Sequence, residues 1–90
     1  MKLFYRKSFL KDIKKIESRK TKDLIISVIE NCRVAKNLSE IKNLGSLVSN
    51  GKYYKIKAGT YRFGIYIDNG IIEFLKFGTR ENFYKDFPPF

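Results

Sequence analysis

The sequence predicts an α+β domain with element order β-α-α-β-β-β, a mostly antiparallel four-stranded sheet with a helical hairpin on one face. Three observations predict it. Between residues 8 and 35, apolar side chains recur at helical spacing in two stripes separated by a short polar break. From Lys52 to Tyr84 the pattern alternates, with a glycine turn at Gly59. Asp68-Asn69-Gly70 lies between two alternating runs, and Asn-Gly is the strongest short hairpin signal because both positions of its turn require positive φ.

Residues Lys2 to Arg6 alternate briefly, enough for a first strand. Ser8 is a candidate N-cap for the first helix, whose stripe is Phe9, Leu10, Ile13 and Ile16. That helix is expected to fail near Ser18-Arg19-Lys20, and Thr21 with Asp23 opens the second. Its stripe (Leu24, Ile25, Val28, Ile29, Cys32 and Ala35) is the longer one. A link this short joins antiparallel helices.

Ser39 is a candidate cap for a turn carrying Leu38, Ile41 and Leu44, and Gly45 to Gly51 reads as loop. The strands Tyr53–Ala58, Tyr61–Ile67 and Ile71–Phe77 follow, the first two joined by Ala58-Gly59-Thr60. On a strand, i and i+2 share a face about 7 Å apart. Lys55 and Lys57 therefore point one way, and Tyr54, Ile56 and Ala58 the other. Phe63, Ile65 and Ile67 match Ile72 and Phe74 on the apolar face. Arg62, Gly64 and Tyr66 then share the opposite face with Glu73, Leu75 and Phe77. With the helices on the apolar face, this second face is expected to be open, basic and partly aromatic. Arg80 to Tyr84 makes a last turn or short helix, and Pro88 with Pro89 forbids a long one.

Ninety residues suffice for one domain, 1–90, which buries roughly 60–65% of its unfolded surface. Nineteen Lys and Arg against nine Asp and Glu leave a net +10, spread along the whole chain. Such a charge speaks to anionic partners and not to fold. The lone Cys32 and the lack of a signal-type apolar core suggest a cytoplasmic protein, and no run approaches a membrane span.

Several chemistries are excluded. With no histidine and one cysteine there is no zinc set, and the acids have no metal-ligand spacing. No histidine-based triad is possible. The glycines form neither a GxGxxG nor a P-loop, so no cofactor is expected. What remains is cationic and aromatic: Lys55, Lys57, Arg62, Arg80 and Tyr84 could surround one phosphate if the last turn folds back beside the strands. Cleavage of RNA by its own 2′-hydroxyl needs a base, a positive cradle for the phosphorane and a group on the leaving oxygen. Lysine can be base or cradle when neighbours lower its pKa, whereas arginine can only hold oxygens. Against this, alternating lysines are more often a solvated outer face, and the tyrosines more often packing residues. Composition alone reaches only a basic domain that meets an acidic partner.

The run Tyr54-Lys-Ile-Lys-Ala-Gly-Thr-Tyr-Arg62 resembles the Y-[RK]-[IL]-[RK]-x-G-x-Y-R core of the RelE/ParE toxin superfamily. The resemblance continues through Ile65-Tyr66, the hairpin, and Phe77-Gly-Thr-Arg-Glu-Asn-Phe-Tyr84, about the last 40 residues in all. It implies a RelE-like fold and the toxin of a type II toxin–antitoxin system: a ribosome-dependent mRNA endonuclease acting in the A site among ribosomal RNA, silenced by a cognate acidic antitoxin. Carried over, Lys55 and Lys57 are candidate base and phosphate binder, and Arg62 stabilises the transition state. Arg80 acts on the leaving group, and Tyr84 stacks on or orients a base. Two departures stand out: Thr79 replaces a histidine found in many relatives, and Arg80 and Tyr84 are closer in sequence than in RelE itself. ParE-like members share the fold but poison DNA gyrase, generally without the full cationic and tyrosine set. A gyrase inhibitor and a catalytically inactive basic interaction module are the alternative expectations.

Overall fold

A five-stranded mixed sheet in the order β1-β5-β4-β3-β2 forms the centre of the computed structural model, which describes residues 1–47 and 51–88. Along the chain run β1 (Lys2–Tyr5), α1 (Lys7–Lys14), α2 (Arg19–Val34), a 3₁₀ turn (Leu38–Glu40), β2 (Leu44–Ser46), β3 (Tyr53–Ala58), β4 (Tyr61–Asp68), β5 (Ile71–Thr79) and α3 (Arg80–Asp86). The α+β class and the order of the predicted elements hold, with one strand added. Leu44–Ser46, expected as the end of a turn and the start of a loop, pairs antiparallel with β3 (Leu44↔Ile56, Ser46↔Tyr54). Three residues are too few for an alternation to register. Residues 48–50 of the expected loop lie outside the described residues.

One face of the sheet receives both long helices. Phe9 of α1 and Ile25 and Cys32 of α2 join Ile56, Phe63, Ile65, Ile72 and Phe74 in one buried cluster. The caps differ from expectation. Ser18, not Thr21, caps α2, its side chain accepting the Thr21 N–H at 3.3 Å. Asn37, not Ser39, caps the 3₁₀ turn. Ser8 caps nothing: α1 starts at Lys7, and the Ser8 hydroxyl donates to the Leu75 carbonyl. Both hairpin turns form as read, with Asn69 and Gly70 at φ 50° and 74° and Gly59 at φ 61°.

The largest departure is a β-bulge. Register along β4–β5 shifts between Phe63↔Phe77 and Ile65↔Phe74, leaving Leu75 unopposed. One extra residue exchanges the faces of everything beyond it. Phe77, expected on the outer face, is therefore 4% exposed in the core, with its ring 4.9 Å from that of Phe63. Lys76 moves to the outer face opposite Gly64. Where β1 ends, α1 serves the exposed edge of β5: Arg6 N–H donates to Phe74 O, and Asp12 Oδ2 accepts the Phe77 N–H at 3.0 Å. Ser8 and Asp12 lie one helical turn apart, so a single face of α1 satisfies the bulge.

Candidate functional site

The second face of the sheet is not open. Thr79 caps α3 by accepting the Asn82 N–H, and the Arg80 N–H donates to Thr60 O at 2.8 Å, tying the helix to the β3–β4 turn. The helix then lies across β4 at Gly64. A Cβ there would meet the Phe87 and Phe83 rings at 2.8 to 3.0 Å, so the notch requires glycine. Phe83 and Phe87 are 0% and 4% exposed, a second small core that a strand-by-strand reading does not show. Burying rings of this size contributes on the order of 2 kcal/mol each, enough to hold a seven-residue helix in place.

This docking brings Tyr84 to the face that carries Lys55 and Arg62. Lys57 and Arg62 are direct cross-strand neighbours, and Lys55 is opposite Gly64. From the docked helix, Tyr84 reaches back so that Lys55 Nζ donates to its hydroxyl at 2.9 Å and sits 5.3 Å from its ring centre. Arg80 opens α3 with an exposed side chain, one turn before Tyr84. The short spacing thus places both on one side of the helix.

Arg62 is buried, with 6% of its surface exposed. Its Nη1 donates to Gly59 O at 3.0 Å and Tyr61 O at 2.8 Å, bracing the turn between the lysine strand and its own. Its Nε is buried with no partner among the described residues. The Lys55 hydrogen bond, aided by Arg62, holds the Tyr84 phenol below its ordinary range against a smaller opposing effect of burial.

Among the described residues four basic side chains are neutralised by a neighbouring carboxylate, while the site cations and most other lysines are not. Arg6, Arg19, Arg33 and Lys52 each pair with a carboxylate, as with Glu73 for Arg6 and Asp68 for Lys52. Among the described residues Lys55, Lys57, Arg62 and Arg80 have no such partner. Setting Lys57 opposite Arg62 costs stability unless an anion comes between them. Among the described residues no three metal-ligating side chains gather. Burial raises the Cys32 thiol to about 11, which removes it as a nucleophile.

The strand lysines and Arg62 were readable from alternation. Gly64, Phe83 and Phe87, which position Tyr84, were not assigned that role. The signal available was a glycine inside an otherwise apolar strand, a mark of close approach by another group.

These features define a basic α+β domain whose sheet carries an unneutralised cation cluster closed by a tyrosine. No family model matches the sequence. It is 30% identical over 89 residues to toxin RelE3 of Methanocaldococcus jannaschii, spanning 98% of this chain and 100% of that one. Its structure is similar to the crystal structure of a RelB–RelE antitoxin–toxin complex from Methanococcus jannaschii, with a TM-score of 0.74, 29% identity and coverage of 94% of this chain and 99% of that one. The fold also matches the intact E. coli RelBE complex at a TM-score of 0.63 and 20% identity, over 90% of this chain and 98% of that one. The chain belongs to the RelE toxin family.

Proposed function

We propose that the chain is the toxin half of a toxin–antitoxin pair and cleaves mRNA on the ribosome without a metal. The single observation that carries this reading is that Lys55 and Arg62 converge on Tyr84 with no carboxylate partner for either cation among the described residues. An anion is what such a cluster lacks, and a phosphodiester has the charge and size to fill it.

In this reading the Lys55–Tyr84 pair, having first lost one proton, takes the proton of the RNA 2′-hydroxyl, and that oxygen attacks the adjacent phosphorus. The bond to the 5′-oxygen breaks, leaving a 2′,3′-cyclic phosphate, and the departing oxygen takes a proton from water to become a 5′-hydroxyl. Lys57 and Arg62 hold the phosphoryl oxygens as charge builds, and Arg80 neutralises the departing 5′-oxygen. Thr79, at the position where many relatives carry histidine, is occupied in capping α3. Proton transfer therefore falls to lysine and tyrosine, whose ordinary pKa values lie far from neutrality. Free RNA is expected to be a poor substrate, and the ribosome supplies the positioning. The partner that silences the toxin is an acidic, partly apolar antitoxin segment, complementary to a chain of net charge +10.

End-mapping of message after induction tests this. Codon-phased cuts are expected, lost with Arg62→Ala and weakened with Tyr84→Phe. Intact message during growth arrest would refute the nuclease reading.

A further inference from the structure

Two residues along β3 from Lys55, the same face carries a second recess that the cleavage mechanism does not use. It has a volume of about 310 Å³ and is lined by Arg6, Asp12, Tyr53, Leu75, Lys76 and Phe87, with Ser8 at its base. We propose that it is a nucleotide subsite for the RNA residue next to the scissile phosphate, a proposal that rests on the nuclease reading above.

The recess is built from several elements. The β5 bulge brings Lys76 to this face and leaves Leu75 unopposed. Tyr53 stands edge-on to Tyr66 (5.1 Å between centroids) and to Phe87 (5.8 Å), so its ring is held as a wall. Phe87 packs on Phe83, which touches Tyr84, an aromatic path linking the recess to the cluster. A base stacks on the Tyr53 wall, a contact open to every base because each has a π-face. The exocyclic amino group of adenine meets Asp12, whose Oδ2 takes the Phe77 N–H while Oδ1 accepts no hydrogen bond among the described residues. The phosphate meets Lys76 and the Arg6 donors not used by Glu73, which takes Nε and one N–H of Nη2. Tyr53 and Lys55 are about 7 Å apart along the strand, which suits adjacent units of an extended single strand.

The test is amide NMR of the full chain titrated with adenosine monophosphate, with adenosine and a polyglutamate peptide as comparisons. Shifts are expected at Tyr53, Leu75, Lys76 and Phe77, with affinity for the monophosphate above that for adenosine. Lys76→Gln should weaken the monophosphate about fivefold to tenfold and leave adenosine unchanged. Tyr53→Leu, read only if its spectrum stays dispersed, should weaken both. Shifts confined to Lys55, Arg62 and Tyr84, no shifts at all, or a recess that answers only to polyglutamate each overturn the subsite. The nuclease reading is tested separately by end-mapping. A chain that binds the nucleotide in the recess but cuts no message would sink that reading alone.

Discussion

Lys55 and Tyr84 lie 29 positions apart, and the ammonium of one donates to the hydroxyl of the other at 2.9 Å. The contact exists because α3 is pinned at Thr60 and seated on Gly64. Lys55 favours the phenolate, so Tyr84 should ionise below its ordinary value of 10.0. An acid whose folded value is depressed contributes stability above its unfolded value, and that contribution fades as pH falls through the folded one. The effect is fully present above the ordinary value of 10.0 and is lost as pH falls below it. Ultraviolet titration should show one early tyrosine, absent in Tyr84→Phe and moved upward in Lys55→Met. Unchanged curves in both variants would contradict the contact.

Gly64→Ala sets a methyl group against Phe83 and Phe87. Overpacking of this kind costs about 1–3 kcal/mol, and the least costly relief is to lift α3. Both the melting temperature and the early Tyr84 titration should fall away together. A fully stable Gly64→Ala with Tyr84 still perturbed would show that the helix is not seated here.

Asp12 is expected to matter as a backbone acceptor. Asp12→Ala leaves the Phe77 N–H of the bulge unpaired in a partly buried site, at a cost of about 1–3 kcal/mol by denaturant unfolding. Asp12→Asn keeps an acceptor oxygen and should recover most of it.

Arg62→Lys retains the charge but loses the guanidinium Nη1 that donates to both Gly59 O and Tyr61 O. Cleavage on the ribosome should drop about 100-fold, the scale of losing one preorganised oxyanion donor. Gyrase supercoiling in a ribosome-free assay should be unaffected by the parent chain. Inhibition there would favour the gyrase-directed alternative.

Cys32, fully buried with its thiol raised to about 11, should resist alkylation at pH 8 in the native state and react once denaturant unfolds the chain. Rapid native labelling would show that α2 opens easily.

Much of the fold was legible because its signals are local. The apolar stripes of α1 and α2 follow from helical period, and the Asn69-Gly70 turn needs only its own two residues. Alternation placed Lys55, Lys57 and Arg62 on one face correctly, since β3 and β4 pair without a slip. Phe77 was assigned to the wrong face because the bulge at Leu75 depends on α1. Ser8 and Asp12 satisfy the backbone groups that the bulge exposes, and neither neighbours them in sequence.

Sequence alone determined which side chains could grip a phosphate, because residue type and period-2 spacing are properties of a single strand. Tertiary structure decided that Tyr84 joins them and that Arg62 is buried. The place of Tyr84 depends on the bare surface of Gly64, which becomes a docking notch only when Phe83 and Phe87 arrive from the far end of the chain.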